Sequence, residues 1–255
     1  MSDGFPEPLV LREVDGGICT LTLNRPDKHN AVIPAMFEQL RGCVEDIALA
    51  GEQIGVVVLR GAGRSFCAGH DLHEAVGAMD LACLREESRT LERLSQLPQI
   101  VIAAVHGYCM TGGLELALAA DLIVASESAC FADTHSKFGL VPMWGGTQRL
   151  PRRVGTAKAI ELMVTGRRLD GREAERIGLA NLCVADAGFD AAVTGMAHEV
   201  LANAWHSNAS IKQLIHQTDG LSLRDGIAHE QFRSPGSRRR GEFPHTPTRT
   251  GANPS

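Results

Sequence analysis

The segment Gly107-Tyr108-Cys109-Met110-Thr111-Gly112-Gly113-Leu114-Glu115 concentrates residues able to do chemistry. It follows an apolar strand-like run and opens a helical one. The N–H groups near Gly112 and Gly113 therefore lie at the positive end of a helix dipole, where an oxyanion is stabilised. Lacking a Cβ, glycine lets a ligand carbonyl come close to the backbone. On this segment alone, glycines that merely permit tight strand-to-helix packing are an equal account. Glu115 stands among Leu114, Leu116, Ala117, Leu118, Ala119 and Ala120. Either the dipole favours an acid there, or an apolar site gives this carboxyl the raised pKa that acid/base work uses. A second loop, Ser65-Phe66-Cys67-Ala68-Gly69-His70-Asp71-Leu72, could add another N–H donor. His70 and His73 straddle Asp71, but no supporting ligand cluster or H-E-x-x-H spacing accompanies them, so no metal site is expected.

Positioning these loops requires alternating strands and helices. Ile18 to Asn24 alternates apolar and polar residues and stops at Arg25-Pro26-Asp27, a strand entering a turn. From Pro34 to about Ala50 the apolar residues recur at helical spacing, with Pro34 in the first turn. Gly55 to Arg60 reads as a buried strand, Leu81 to Leu97 as a charged amphipathic helix ended by Pro98, and Ile100 to His106 as another strand. Gly113 to Ala120 and Leu122 to Ala125 repeat the alternation, which makes the fold α/β. Beyond Thr156 the spacing is helical: Ala157 to Val164, Asp170 to Ile177, Phe189 to Ala204, Ala209 to Thr218 and Leu223 to Phe232. The expected organisation is a core over 1–185, a helical region over 186–233, and a disordered tail over 234–255, where apolar periodicity gives way to Pro, Gly, Ser and Arg.

The chain has 255 residues, 44% hydrophobic and 22% charged, which excludes a disordered, collagen-like or coiled-coil protein. Lys and Arg total 25 against 30 Asp and Glu, a net charge of −5, so no basic footprint argues for nucleic acid or an anionic membrane. The seven cysteines form no C-x-x-C pair and read as small buried hydrophobes in a reducing, cytoplasmic setting. No apolar run approaches the ~20 residues that cross a bilayer. Gly61-Ala62-Gly63-Arg64-Ser65-Phe66 lacks the third glycine of a dinucleotide fingerprint, and no G-x-S-x-G is present.

Taken together, these motifs resemble the crotonase family, the enoyl-CoA hydratase/isomerase superfamily. The likeness runs through 23–31 (LNRPDKHNA), 66–72 (FCAGHDL), 102–121 (IAAVHGYCMTGGLELALAAD), 138–142 (FGLVP), 145–150 (GGTQRL) and Thr165-Gly166 with Ala174, Gly178 and Leu179. It covers roughly residues 8–232. The resemblance implies a spiral of ββα units with a helical C-terminal region, assembled as a homotrimer or hexamer, and an acyl-CoA ligand with no further cofactor. By motif position the amides of His70 and Gly112 would hold the thioester oxygen. Lys28, His29, Ala31, Ala68, Asp71, Leu72 and Gly113 would line the CoA cleft, and Glu115 would be the first of two catalytic glutamates adding water to an enoyl thioester.

The second glutamate is missing. Aligned on Phe131 and Gly139, its place is held by His135, with the nearest acid at Asp133; on a strand the two would share a face. Three readings follow. His135 replaces the missing acid/base, for which an unperturbed pKa near ~6.5 is suited. Alternatively Glu115 works alone, or the oxyanion hole serves isomerisation, decarboxylation or thioester hydrolysis. In the third, the protein only binds acyl-CoA.

Overall fold

The computed structural model describes residues 8–71 and 80–236. Leu72, His73 and all but the first three residues of the 234–255 tail lie outside them.

Six strands form the larger sheet: β1 (Val10–Asp15), β2 (Ile18–Leu23), β3 (Val56–Gly61), β4 (Ile100–Val105), β6 (Leu122–Ser126) and β9 (Leu182–Val184), in the order β1-β2-β3-β4-β6-β9. Only the β1–β2 pair is antiparallel; the remaining four pairings are parallel. A smaller sheet holds β5 (Tyr108–Met110), β7 (Cys130–Ala132) and β8 (Leu169–Asp170). The chain therefore steps from one sheet to the other at each turn of a spiral, β4 to β5 and then β6 to β7. Loop 66–70 belongs to the preceding turn, because Cys67 bridges Cys109 of β5 and His70 bridges Val32, both in parallel sense.

The β-branched runs of β3 and β4 are buried on both faces, as parallel strands require. Val57, Leu59, Val101, Ala103 and Val105 face the main core with α1 (Pro34–Leu49) and α2 (Leu81–Gln96). Val56, Val58, Ile102 and Ala104 face the opposite way, against Phe189, Val193 and Ala197 of α7 (Phe189–Leu201). The helical rear thus begins by covering the second face of the sheet. Between these lie α3 (Gly112–Leu118), α4 (Gly146–Val154), α5 (Thr156–Thr165) and α6 (Gly171–Arg176), and α8 (Trp205–Thr218) and α9 (Leu223–Arg233) follow. No residue of α9 is buried. Among the described residues no helix is long and apolar enough to cross a membrane.

Candidate active site

Every residue of α3 is buried, Glu115 included at 2% exposure. An acid in such a place needs donors, and the turn before α4 supplies them: Glu115 Oε1 accepts from the amides of Trp144 and Gly146, each at 2.8 Å. Gly145, at φ +98°, makes the bend that aims both amides inward. Burial pushes the Glu115 carboxyl above its ordinary value, against the lowering pull of the Gly146 amide, His135 and the Trp144 amide.

The other carboxylate oxygen, Oε2, faces His135 Nε2 at 3.5 Å. The expectation that Asp133 and His135 share a strand face is corrected here. Strand β7 stops at Ala132, and His135 opens a single 3-10 turn, His135–Phe138. That bend folds Asp133 back, so its Oδ1 accepts from the His135 amide at 3.0 Å and lies 2.8 Å from His135 Nδ1. With the ring proton on Nδ1 toward Asp133, Nε2 presents its lone pair toward Glu115. Asp133, His135 and Glu115 thus form a buried chain in which a carboxylate orients an imidazole against a second carboxylate.

The two glycine loops meet beside this chain. Val32 donates to the Gly69 carbonyl and accepts from the Asp71 amide, which turns the intervening His70 amide away from Val32. The Gly112 amide, in the first turn of α3, has no intrahelical acceptor. A Cβ on Gly69 would sit 3.2 Å from the Gly112 nitrogen, and one on Gly113 would sit 2.3 Å from the Cys67 carbonyl oxygen, so glycine is what lets the loops touch. Thr111 enters the helix at φ +53°, a strained value for a non-glycine residue, tied by its amide to the Ala132 carbonyl.

Ala68, His70, Gly112, Glu115, His135 and Trp144 all border one cavity of about 550 Å³. A larger groove of about 1860 Å³ among α2, α4 and α8 is lined by none of the residues predicted from sequence. Gly113 is buried where the loops pack, and Lys28, His29 and Ala31 lie on the turn after β2, joined to loop 66–71 by the Ala68 amide donating to the His29 carbonyl. Asp71 Oδ2 accepts from both Nη1 and Nη2 of Arg25, each at 3.2 Å. Three contributions had escaped sequence reasoning. The Trp144 and Gly146 amides are backbone groups and carry no sequence signal. Asn30, fully buried, accepts from the Arg25 amide and donates to the Ala62 and Ser65 carbonyls, binding three loops together. Glu87 is a buried acid in a run of charged residues, on the inward face of a helix that reads as amphipathic.

Comparison with known proteins agrees with this architecture. Residues 13–234 match the family model for enoyl-CoA hydratase/isomerase. The chain is 34% identical over 229 residues to the Arabidopsis thaliana protein named probable enoyl-CoA hydratase 1, peroxisomal, covering 89% of this chain and 85% of that one. An enoyl-CoA hydratase structure from Bacillus anthracis superposes with a TM-score of 0.84 at 32% identity, over 88% of each chain. One described as a putative enoyl-CoA hydratase from Thermobifida fusca YX in complex with acetoacetyl-CoA gives 0.81 at 28% identity, over 88% of this chain and 92% of that one. The chain belongs to the enoyl-CoA hydratase/isomerase family, and its spiral is the crotonase fold.

Proposed function

We propose that this protein is an enoyl-CoA hydratase, adding water across the 2,3 double bond of an acyl-CoA thioester. The observation that carries this reading is the Glu115–His135 contact, one oxygen of Glu115 pinned by two amides and the other facing His135 Nε2 at 3.5 Å. A single water can touch both of those facing atoms. Glu115 takes a proton from it while the oxygen bonds to Cβ, and the alkene electron pair moves through Cα onto the thioester oxygen. The amides of His70 and Gly112 receive that oxygen as it becomes an enolate. The proton that Glu115 took then passes to Cα, directly or relayed through His135 Nε2, and closes the balance as net addition of water. Asp133 orients the imidazole and offsets its charge. No metal or redox cofactor enters this scheme, and coenzyme A is part of the substrate.

Loop 66–72 and the turn at Lys28, His29 and Ala31, with Gly113 behind them, are assigned to the CoA portion. Exposed apolar side chains on α9, Leu223 at 81% and Phe232 at 83%, support assembly into a homotrimer or hexamer. Seven free thiols support a reducing, cytoplasmic setting. The test is loss of enoyl-thioester absorbance with crotonyl-CoA, run beside Glu115→Gln. Fast loss that the variant abolishes is expected; no loss, with crotonyl-CoA still binding by calorimetry, overturns hydration in favour of another acyl-CoA reaction or binding alone.

A further inference from the structure

The buried stripe of α2 runs through Glu87, Thr90, Leu91 and Leu94, so an acid occupies a position that helical spacing reserves for an apolar side chain. Glu87 is 3% exposed. Its Oε1 lies 3.6 Å from His70 Nε2 and accepts the Cys83 thiol at 3.7 Å. Among the described residues Glu87 Oε2 and His70 Nδ1 are buried without hydrogen-bond partners. Each such orphan is destabilising, and a well-packed apolar pair in the same space would avoid both. Stability therefore gives no reason for this pair. Its location does: the His70 side chain borders the cavity, its ring centroid 5.7 Å from that of Trp144.

We propose that Glu87 is a positioning residue that holds the His70 side chain as an imidazolium at the cavity wall, so that residue 70 stabilises the enolate through side-chain charge as well as through its amide. This rests on the oxyanion assignment above. The groups around the imidazole are Glu87 and Cys83 from α2, Asp71 on its own loop with Arg25 behind it, and, across the cavity, Glu115 and His135. The Glu87 carboxylate raises the His70 pKa above its ordinary value and outweighs the opposing effect of burial. In the low-dielectric cavity, a cation placed before the reaction begins acts where negative charge develops.

The experiment reads polarisation of the thioester carbonyl directly, as the red shift of bound 4-dimethylaminocinnamoyl-CoA, in the full chain, in Glu87→Gln and in His70→Gln. The shift should shrink in both variants, and in the parent it should fade as alkaline pH removes the imidazolium. Hydration of crotonyl-CoA by Glu87→Gln should lose about tenfold in kcat with KM within about threefold. Equal red shifts in parent and both variants overturn the proposal. Absence of hydration alone refutes only the hydratase reading, since the red shift is read without turnover. Should Glu87→Gln not fold or the probe not bind, NMR titration of His70 in the parent decides: a neutral imidazole at neutral pH overturns the proposal, and a charged one supports it.

Discussion

Replacing Glu115 by Gln isolates chemistry from architecture. Glutamine keeps an oxygen to accept the Trp144 and Gly146 amides, both at 2.8 Å, and its NH2 can donate to His135 Nε2, so the packing of α3 and the cavity wall need not change. What is lost is the proposed base, and a positioned general acid/base is worth about 10²–10⁴ in rate, or roughly 3–5.5 kcal/mol of barrier. We expect kcat for crotonyl-CoA to fall by that factor while calorimetric affinity stays within about threefold. Burial raises the folded carboxyl above its unfolded value, so the folded chain binds this proton more tightly than the unfolded chain does. The stability this confers is full below the unfolded pKa and is lost as pH rises through the folded one. The melting temperature of Glu115→Gln relative to the parent should therefore increase as pH is raised, which thermal melts at several pH values will show. By the same shift, the acidic limb of kcat/KM in the parent should lie above the ordinary carboxylate range. A variant turning over within about threefold of the parent would refute the assignment of Glu115 as the base.

Other perturbations reach the site indirectly. Asp133→Asn leaves an amide where a carboxylate holds His135 Nδ1, and loss of such an orienting partner should lower kcat by about 10–100-fold with little change in melting temperature. His135→Glu would place a third carboxylate between Asp133 and Glu115; turnover should drop, and adding Asp133→Ala in the same chain should restore part of it, which steady-state kinetics of the pair will show. A Cβ at Gly112 would lie 2.4 Å from Trp144 Cζ3, so Gly112→Ala must displace the ring whose backbone amide holds Glu115, with a destabilisation of about 1–3 kcal/mol in denaturant melts and reduced kcat. Asn30→Ala orphans the Ala62 and Ser65 carbonyls; a loss of about 2 kcal/mol or more is expected by urea titration, and an unchanged midpoint would show that water replaces the side chain.

What could be read from sequence tracks how periodic each element is. Strand β2 alternates cleanly along ICTLTL, and α1 repeats its apolar residues over four turns, so both were legible nearly to the residue. Strands β5, β7 and β9 have three residues and β8 has two, too few for any period to show. Helix α4 starts on a glycine, contains Pro151 and buries only Gly146 and Leu150, so its sequence gives little helical signal. At the site, Glu115 was legible because an acid interrupts an apolar run. His135 was legible only against a family pattern, and the use of Asp133 depended on a strand ending one residue before it. Glu87 was concealed by its neighbours: beside Arg85, Glu86 and Arg89 it looks like one more residue of the charged face of α2, and only the folded chain reveals which acid faces inward.

The spiral has a consequence for how the site opens and closes in time. His70 and Gly112 sit on successive turns, registered by the parallel backbone pairing of residues 67 and 109 and by that of β3 with β4. A fluctuation that separates those amides must therefore break contacts deep in the sheet, whereas the exposed α9 can fray without touching them. Hydrogen exchange should sort the molecule accordingly. In the isolated protomer the amides of Phe66, Cys67, Ala68, Asp71 and Met110, each held by a backbone carbonyl, should exchange only with global unfolding, and those of α9 far sooner. The reaction centre would then be among the last parts of the molecule to come apart.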